Sequence, residues 1–158
     1  MTEIRIITPQ SESWGDFQCG DPRIDRKLLT EAEQAKKNLV RLHGLYEGDR
    51  LQAVISLEAS VLQAPTEVIA KLGGRERVST LHIEVLSVRA SAQRRGYGWR
   101  LLEHALGQAK TTSINIGLRT VSLEATGESL AFYEKFGFRG ARRPWPDGSW
   151  PMWFDLHG

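Results

Sequence analysis

Gln93-Arg94-Arg95-Gly96-Tyr97-Gly98 lies between an apolar, strand-like run, Leu81 to Val88, and a helix-like run, Trp99 to Ala109. Two glycines two apart, behind two arginines, let a strand turn tightly into a helix. A turn of this kind leaves backbone N–H groups free at the helix start, where the dipole also favours an anion. A pyrophosphate suits such a place. Any tight strand-to-helix turn favours glycine, so the loop alone is equally a structural feature. Arg89, Arg94, Arg95 and Arg100 surround it with no acidic residue among them. A solvated basic face is the plainer account of such arginines, and their coincidence with the loop favours a polyphosphate ligand.

A chain of 158 residues has the length of a single domain, expected to span 1–158. Apolar and charged fractions of 41% and 25% are those of a globular protein rather than a disordered one. The net charge of +2 does not imply nucleic-acid binding through bulk charge. One cysteine, Cys19, excludes an intramolecular disulfide, and a lone cysteine is more often a small apolar residue than a nucleophile. The N-terminus lacks the basic start and apolar core of a signal peptide, and no run reaches the length of a membrane span. A cytoplasmic protein without membrane attachment is expected. A dinucleotide-binding fold would place a third glycine three residues after Gly98, where Leu101 stands, and no Gly-Lys-Ser/Thr phosphate loop exists. Four scattered histidines and one cysteine show no metal-ligand spacing, so no metal is expected.

Outward from the loop, Glu3 to Thr8 reads as a first strand, stopped by Pro9. Asp21-Pro22 opens a helix in which Ile24, Leu28, Ala32, Ala35 and Leu39 recur at helical spacing, predicting its end near residue 39. Arg41 to Tyr46 and Leu51 to Leu62 are strands joined by a Glu47-Gly48-Asp49-Arg50 turn. Pro65 to Leu72 is a short helix stopped by Gly73-Gly74, and Leu81 to Val88 is one central strand. After the loop and its helix come a strand over Arg119 to Ala125 and a helix over Ser129 to Phe136, ended by Gly137. Two strands close the chain near Phe138 to Arg142 and Met152 to Leu156. An antiparallel meander followed by strand–helix–strand–helix–strand predicts an α/β chain of α+β type. Its central sheet is expected to be mixed and mostly antiparallel, with helices on both faces.

These pieces in this order resemble the GCN5-related N-acetyltransferase (GNAT) superfamily. Gln93, Gly96 and Gly98 match its pyrophosphate signature, Gln/Arg-x-x-Gly-x-Gly/Ala, and Leu86-Ser87-Val88 is similar to the strand end that pairs with the pantetheine arm of acetyl-CoA. Thr126-x-x-Ser129-x-x-x-Tyr133-Glu134-Lys135-Phe136-Gly137-Phe138 resembles the family's Asn-x-x-Ala-x-x-x-Tyr-x-x-x-Gly-Phe segment, with Thr and Ser in place of Asn and Ala. The resemblance implies an acetyl-CoA site formed by Leu86, Ser87, Val88, Gln93, Arg94, Arg95, Gly96, Tyr97, Gly98, Trp99, Thr126, Ser129 and Tyr133. Phe17-x-Cys19-Gly20 with Ile24-Asp25, and the insertion Ala64 to Thr80, are similar to a subgroup that includes toxins acetylating aminoacyl-tRNA.

The implied reaction needs a neutral amine, a stabilised oxyanion and help for the departing thiolate. The family attacks directly within a ternary complex, without a covalent protein intermediate. Tyr133 stands at the family's tyrosine position, near the thioester sulfur; the plainer alternative is a core aromatic beside Phe132 and Phe136. A tyrosine at about 10 is a weaker acid than a thiol at about 8.5, so it would act mainly by a hydrogen bond. For the base, His82 and Glu84 are two apart on the central strand and so expected on one face. Glu84 could equally bind a cationic substrate or pair with an arginine, and His82 could be an ordinary strand histidine. The toxin subgroup generally lacks a carboxylate at the Glu84 position, which counts against that branch.

Thr126 and Ser129 could bind the cofactor arm, or Thr126 could cap a helix. Glu58 could line the acceptor site or be an ordinary strand carboxylate. Trp145, Trp150 and Trp153 could wall a pocket, form a dimer contact or pack a core, and Arg139, Arg142 and Arg143 could meet RNA or simply be solvated. The reading favoured by sequence is acetyl transfer to a primary amine of a small molecule or protein, in an enzyme open to homodimer formation. The alternatives are a toxin acting on aminoacyl-tRNA with an antitoxin partner, and a non-enzymatic acetyl-CoA-binding regulator.

Overall fold

A computed structural model describes residues 1–158 other than Ser11, Ser13, Gly74, Arg75 and Glu76. Gly74, half of the expected helix stop, lies outside the described residues. The chain divides into two compact units, Met1–Glu58 with Glu84–Ala105, and Ala59–Ile83 with Leu106–Gly158.

In the first unit, helix α1 covers Pro22–Lys36. Asp21 caps it, its side chain accepting from the Arg23 N–H at 2.9 Å, and proline at the first position loses nothing by lacking an N–H. The predicted periodicity is realised: Leu28, Ala32 and Ala35 are buried, with Ile24 packed alongside. The helix ends sooner than residue 39 because Asn38 turns left-handed at φ 60 and the Leu39 N–H returns to the Gln34 carbonyl at 3.1 Å. Leu39 is thereby thrown out of the core and is 60% exposed.

Strand β1 (Thr2–Ile6) pairs antiparallel with β2 (Arg41–Glu47), and β2 with β3 (Arg50–Val61) through the expected hairpin. Leu42 to Tyr46 and Leu51 to Leu57 are buried without alternation, as strands covered on two faces must be. Leu28, Phe17, Leu42, Leu51, Val54 and Val85 share one apolar cluster. Burying a leucine of this kind contributes roughly 1.5–3 kcal/mol. Gly44 is needed in β2 for packing, since a Cβ there would lie 2.6 Å from Leu51 Cδ1.

The single central strand expected over 81–88 is two strands. β4 (Ser79–Ile83) runs parallel to β6 (Thr120–Ala125), and β5 (Leu86–Val88) pairs antiparallel with β3. Between them, the Glu84 and Val85 N–H groups both donate to Ser56 Oγ, at 3.1 and 2.9 Å, while Ser56 N–H donates to the Val85 carbonyl at 3.0 Å. One buried hydroxyl on β3 thus takes the two amides that a regular ladder would have used.

Helix α3 covers Tyr97–Asn115, starting before and ending after the predicted run. Leu101, Leu102, Ala105 and Ala109 are at most 1% exposed, so the apolar face stops where the sequence reading stopped it. The polar remainder to Asn115 continues as helix without an apolar stripe to reveal it.

In the second unit the strand order is β4-β6-β8-β7, with β7 (Arg139–Gly140) and β8 (Trp150–Asp155) antiparallel to their partners. α2 (Thr66–Lys71) brings Val68 and Ile69 against Leu62, Leu72, Val78 and Trp153. A short 3-10 turn over Gly127–Ser129 leads into α4 (Leu130–Phe136), closed by Gly137. The fold class is therefore the expected α+β arrangement of mixed, mostly antiparallel strands.

Candidate active site

Arg94 and Gly96 both take left-handed backbone conformations, with φ 68 and 81. Nothing lies within 4 Å of a Cβ built on Gly96, so glycine is required there by conformation and not by space. Tyr97 begins α3, and the Arg100 N–H is the first to close a helical bond, on the Gly96 carbonyl at 3.1 Å. The amides of the loop thus precede a long helix, whose dipole adds to their attraction for an anion. Arg94 and Arg95 are exposed beside them. Arg95 stands 3.7 Å from the Glu47 carboxylate, and the buried Tyr97 places its hydroxyl 3.5 Å from the same group. Arg100 bonds Thr2. Gly98 and Trp99, half-buried, lie in the first turn of α3.

Among the described residues β5 pairs with β3 alone, and its second edge keeps backbone groups for a ligand apart from the Val88 carbonyl, which Gln93 takes. Ser87 is 2% exposed with its side chain in the core. Gln93, the exposed first residue of the loop, donates through Nε2 to the Cys19 and Val88 carbonyls, at 2.6 and 3.1 Å. Glu84, just before β5, is 3.0 Å from Lys27 Nζ on α1. The cation pairing foreseen for this carboxylate is made, by a lysine rather than an arginine. Glu58 is half-buried on β3. The Cys19 thiol is raised from 9.0, chiefly by burial, which suits an inert residue better than a nucleophile.

In the second unit, Thr126 and Ser129 face one another with hydroxyls 2.9 Å apart, and Ser129 Oγ also reaches the Thr126 carbonyl at 3.1 Å. Thr126 makes no side-chain cap bond. Tyr133, half-buried on α4, sits edge-on to Phe132 and Phe138, with ring centroids 5.1 and 5.8 Å away. Burial pushes its hydroxyl up to about 12. It remains a protonated donor across the physiological range.

His82 belongs to a hydroxyl chain that sequence reading missed. Thr80 Oγ1 donates to Ser122 Oγ at 2.7 Å, and Ser122 Oγ lies 3.0 Å from His82 Nδ1. The signal was a parallel register, His82 beside Ser122 and Thr80 beside Thr120, which no single strand reveals. Of the C-terminal tryptophans, Trp153 is core at 8% exposure, and Arg139, Arg142 and Arg143 are exposed. Among the described residues no helix is long and apolar enough to cross a membrane.

Residues 54–140 match the family model of the acetyltransferase (GNAT) domain, more than half of the chain. No curated protein sequence matches significantly. Solved structures with the same fold include one described as a bacterial toxin, with TM-score 0.88 and 20% identity over 99% of this chain and 92% of that one. A variant of the toxin AtaT bound to the C-terminus of the antitoxin AtaR and acetyl-CoA gives TM-score 0.81 at 18% identity, over 99% and 94%. AtaT complexed with acetyl-methionyl-tRNAfMet gives 0.80 at 19%, over 99% and 96%. At these identities the likeness is one of fold, and with the family match it makes this chain a member of the GNAT acetyltransferase family.

Proposed function

We propose that the chain moves an acetyl group from acetyl-CoA to a primary amine by direct attack in a ternary complex. The observation that carries the reading is the pair of left-handed residues, Arg94 and Gly96, immediately before α3. They turn the loop so that its amides and the helix dipole act on one anion. The backbone of Gln93 to Trp99 would hold the pyrophosphate, with Arg94 and Arg95 adding charge, and the backbone of Leu86 to Val88 would pair with the pantetheine arm. Thr126 and Ser129 are assigned to the same arm.

In the transfer, the amine nitrogen bonds to the thioester carbon, the C–S bond breaks and the proton leaves the nitrogen. Tyr133 is assigned the departing sulfur. With a hydroxyl at about 12 and a thiol near 8.5, full proton transfer is uphill by on the order of 5 kcal/mol. Its contribution is therefore a hydrogen bond that strengthens as charge develops. Glu84 is the proposed base in the amine-binding part, and its pairing with Lys27 makes ion-pair release part of that role.

For the acceptor, we favour the α-amine of an aminoacyl-tRNA over free small amines and protein amines. The toxin structures match 99% of this chain, so they share the whole fold and not only the cofactor motif. The exposed Arg139, Arg142 and Arg143 supply charge suited to a phosphate backbone. The lysine partner of Glu84 also weakens the carboxylate argument that set the chain apart from that branch. The test is thiol release from acetyl-CoA with charged tRNA, free amines and peptides as acceptors. Turnover on charged tRNA alone, with growth arrest on expression, is expected. Turnover on a free amine or peptide and none on tRNA would overturn the acceptor, and binding without turnover on any amine would make the protein a regulator.

A further inference from the structure

The segment ahead of α1 is laced to the exit of β5 by bonds that mostly use backbone carbonyls. Arg89, only 5% exposed, donates through Nε to the Leu51 carbonyl and through Nη1 to the Asp16 carbonyl, both at 2.9 Å. Its guanidinium lies 5.2 Å over the Phe17 ring. The Ala90 N–H donates to the Gln18 carbonyl at 2.7 Å. Gln93 closes the series with its two bonds to the Cys19 and Val88 carbonyls. The Cys19 N–H donates to Asp25 Oδ1 at 3.0 Å, which fastens the segment to α1.

A primary amide has two N–H donors, and Gln93 has directed both at carbonyls. What is left is its oxygen, an acceptor that a phosphate does not seek. Immediately after it comes Arg94, a non-glycine residue held left-handed, a conformation that persists only where the surroundings impose it. We infer that residues 16–19 form a strap that shapes the cofactor loop, and that Gln93 is a positioning residue which ties the loop's first residue to that strap. The inference rests on the reading of Gln93 to Gly98 as the acetyl-CoA loop. Arg89 anchors the other end of the strap from inside the core.

Gln93 is exposed, so its variants should fold. Gln93→Glu sets carboxylate oxygens against the two carbonyls, whereas Gln93→Arg keeps donors for both. The full chain is measured without ligand by amide hydrogen exchange over residues 94–98, then with acetyl-CoA by calorimetry and steady-state kinetics. Gln93→Glu should speed ligand-free exchange of the loop and raise KM for acetyl-CoA about tenfold while kcat stays within about twofold. Gln93→Arg should restore both. Weaker acetyl-CoA binding with ligand-free exchange unchanged would show that Gln93 acts on the cofactor itself, and overturn the strap. Unchanged exchange and affinity would do the same. If the wild type fails to bind acetyl-CoA, the donor reading falls, and the ligand-free exchange still decides the strap by itself.

Discussion

The loop region, residues 84–105, and the Tyr133 region, residues 126–138, serve the proposed reaction by different physics. The first is shaped by backbone: left-handed Arg94 and Gly96, two amides taken by Ser56, and a side-chain amide turned onto carbonyls. The second is shaped by burial, a hydroxyl among aromatic rings whose acidity the apolar surroundings suppress. An anion site built from N–H groups depends on its backbone conformation, and on side chains chiefly as they hold that conformation. A site built from one buried hydroxyl is the reverse.

The sharpest break in that comparison is Tyr133→Phe. Deleting the hydroxyl while keeping the ring should lower kcat by about 10²–10⁴-fold with acetyl-CoA affinity nearly unchanged, read by thiol release and calorimetry. An unchanged kcat would return Tyr133 to the core-aromatic reading.

Acid should then separate the regions. On α3, His104 Nε2 lies 2.8 Å from Nδ1 of His43, which is buried in β2. Burial first, then His104 and Arg41, push His43 down to about 4 from the usual 6.5, and burial lowers His104 as well. The unfolded chain therefore takes up protons before the folded one as pH falls. Stability is full above about pH 6.5 and declines toward pH 4, by roughly 3 kcal/mol from His43. His43→Leu should flatten that decline in urea titrations across this range. Over the same range Tyr133 stays protonated, so its hydroxyl contributes no such slope; an equal acid slope in His43→Leu would locate the titration elsewhere.

Ser56→Ala leaves the Glu84 and Val85 amides without their acceptor and should reduce stability by about 1–3 kcal/mol, measured by chemical unfolding. A smaller loss would mean that the break between β4 and β5 holds without the serine. Gly96→Ala forces a side chain into φ 81 with ample room, so the conformational term of about 1–2 kcal/mol acts alone. Acetyl-CoA binding should weaken about 5–30-fold if the loop relaxes to avoid it. Unaltered binding would show that the loop does not need the left-handed turn.

Much of this was legible one residue at a time. Helix α1 announced itself by its cap and its apolar spacing, and the end of α4 by Gly137, because these are short-range effects. The end of α1 was misplaced because Leu39 continued the apolar spacing while Asn38 had already turned the chain. The undivided strand over 81–88 was a misreading of the same kind. Its residues are uniformly strand-like, and the break is imposed by a hydroxyl far away in sequence. The extension of α3 to Asn115 has no apolar stripe to signal it.

By itself, then, the sequence determined the family, the glycine loop and the tyrosine segment, since motif residues at fixed spacing encode local backbone and local chemistry. Only the tertiary structure decided what those residues hold. Glu84 is paired with Lys27, Ser122 orients His82, and Gln93 spends its donors on Cys19 and Val88. Each of these depends on which distant segment packs alongside. Hydrogen bonds to backbone carbonyls, in particular, leave no mark on the residue that accepts them.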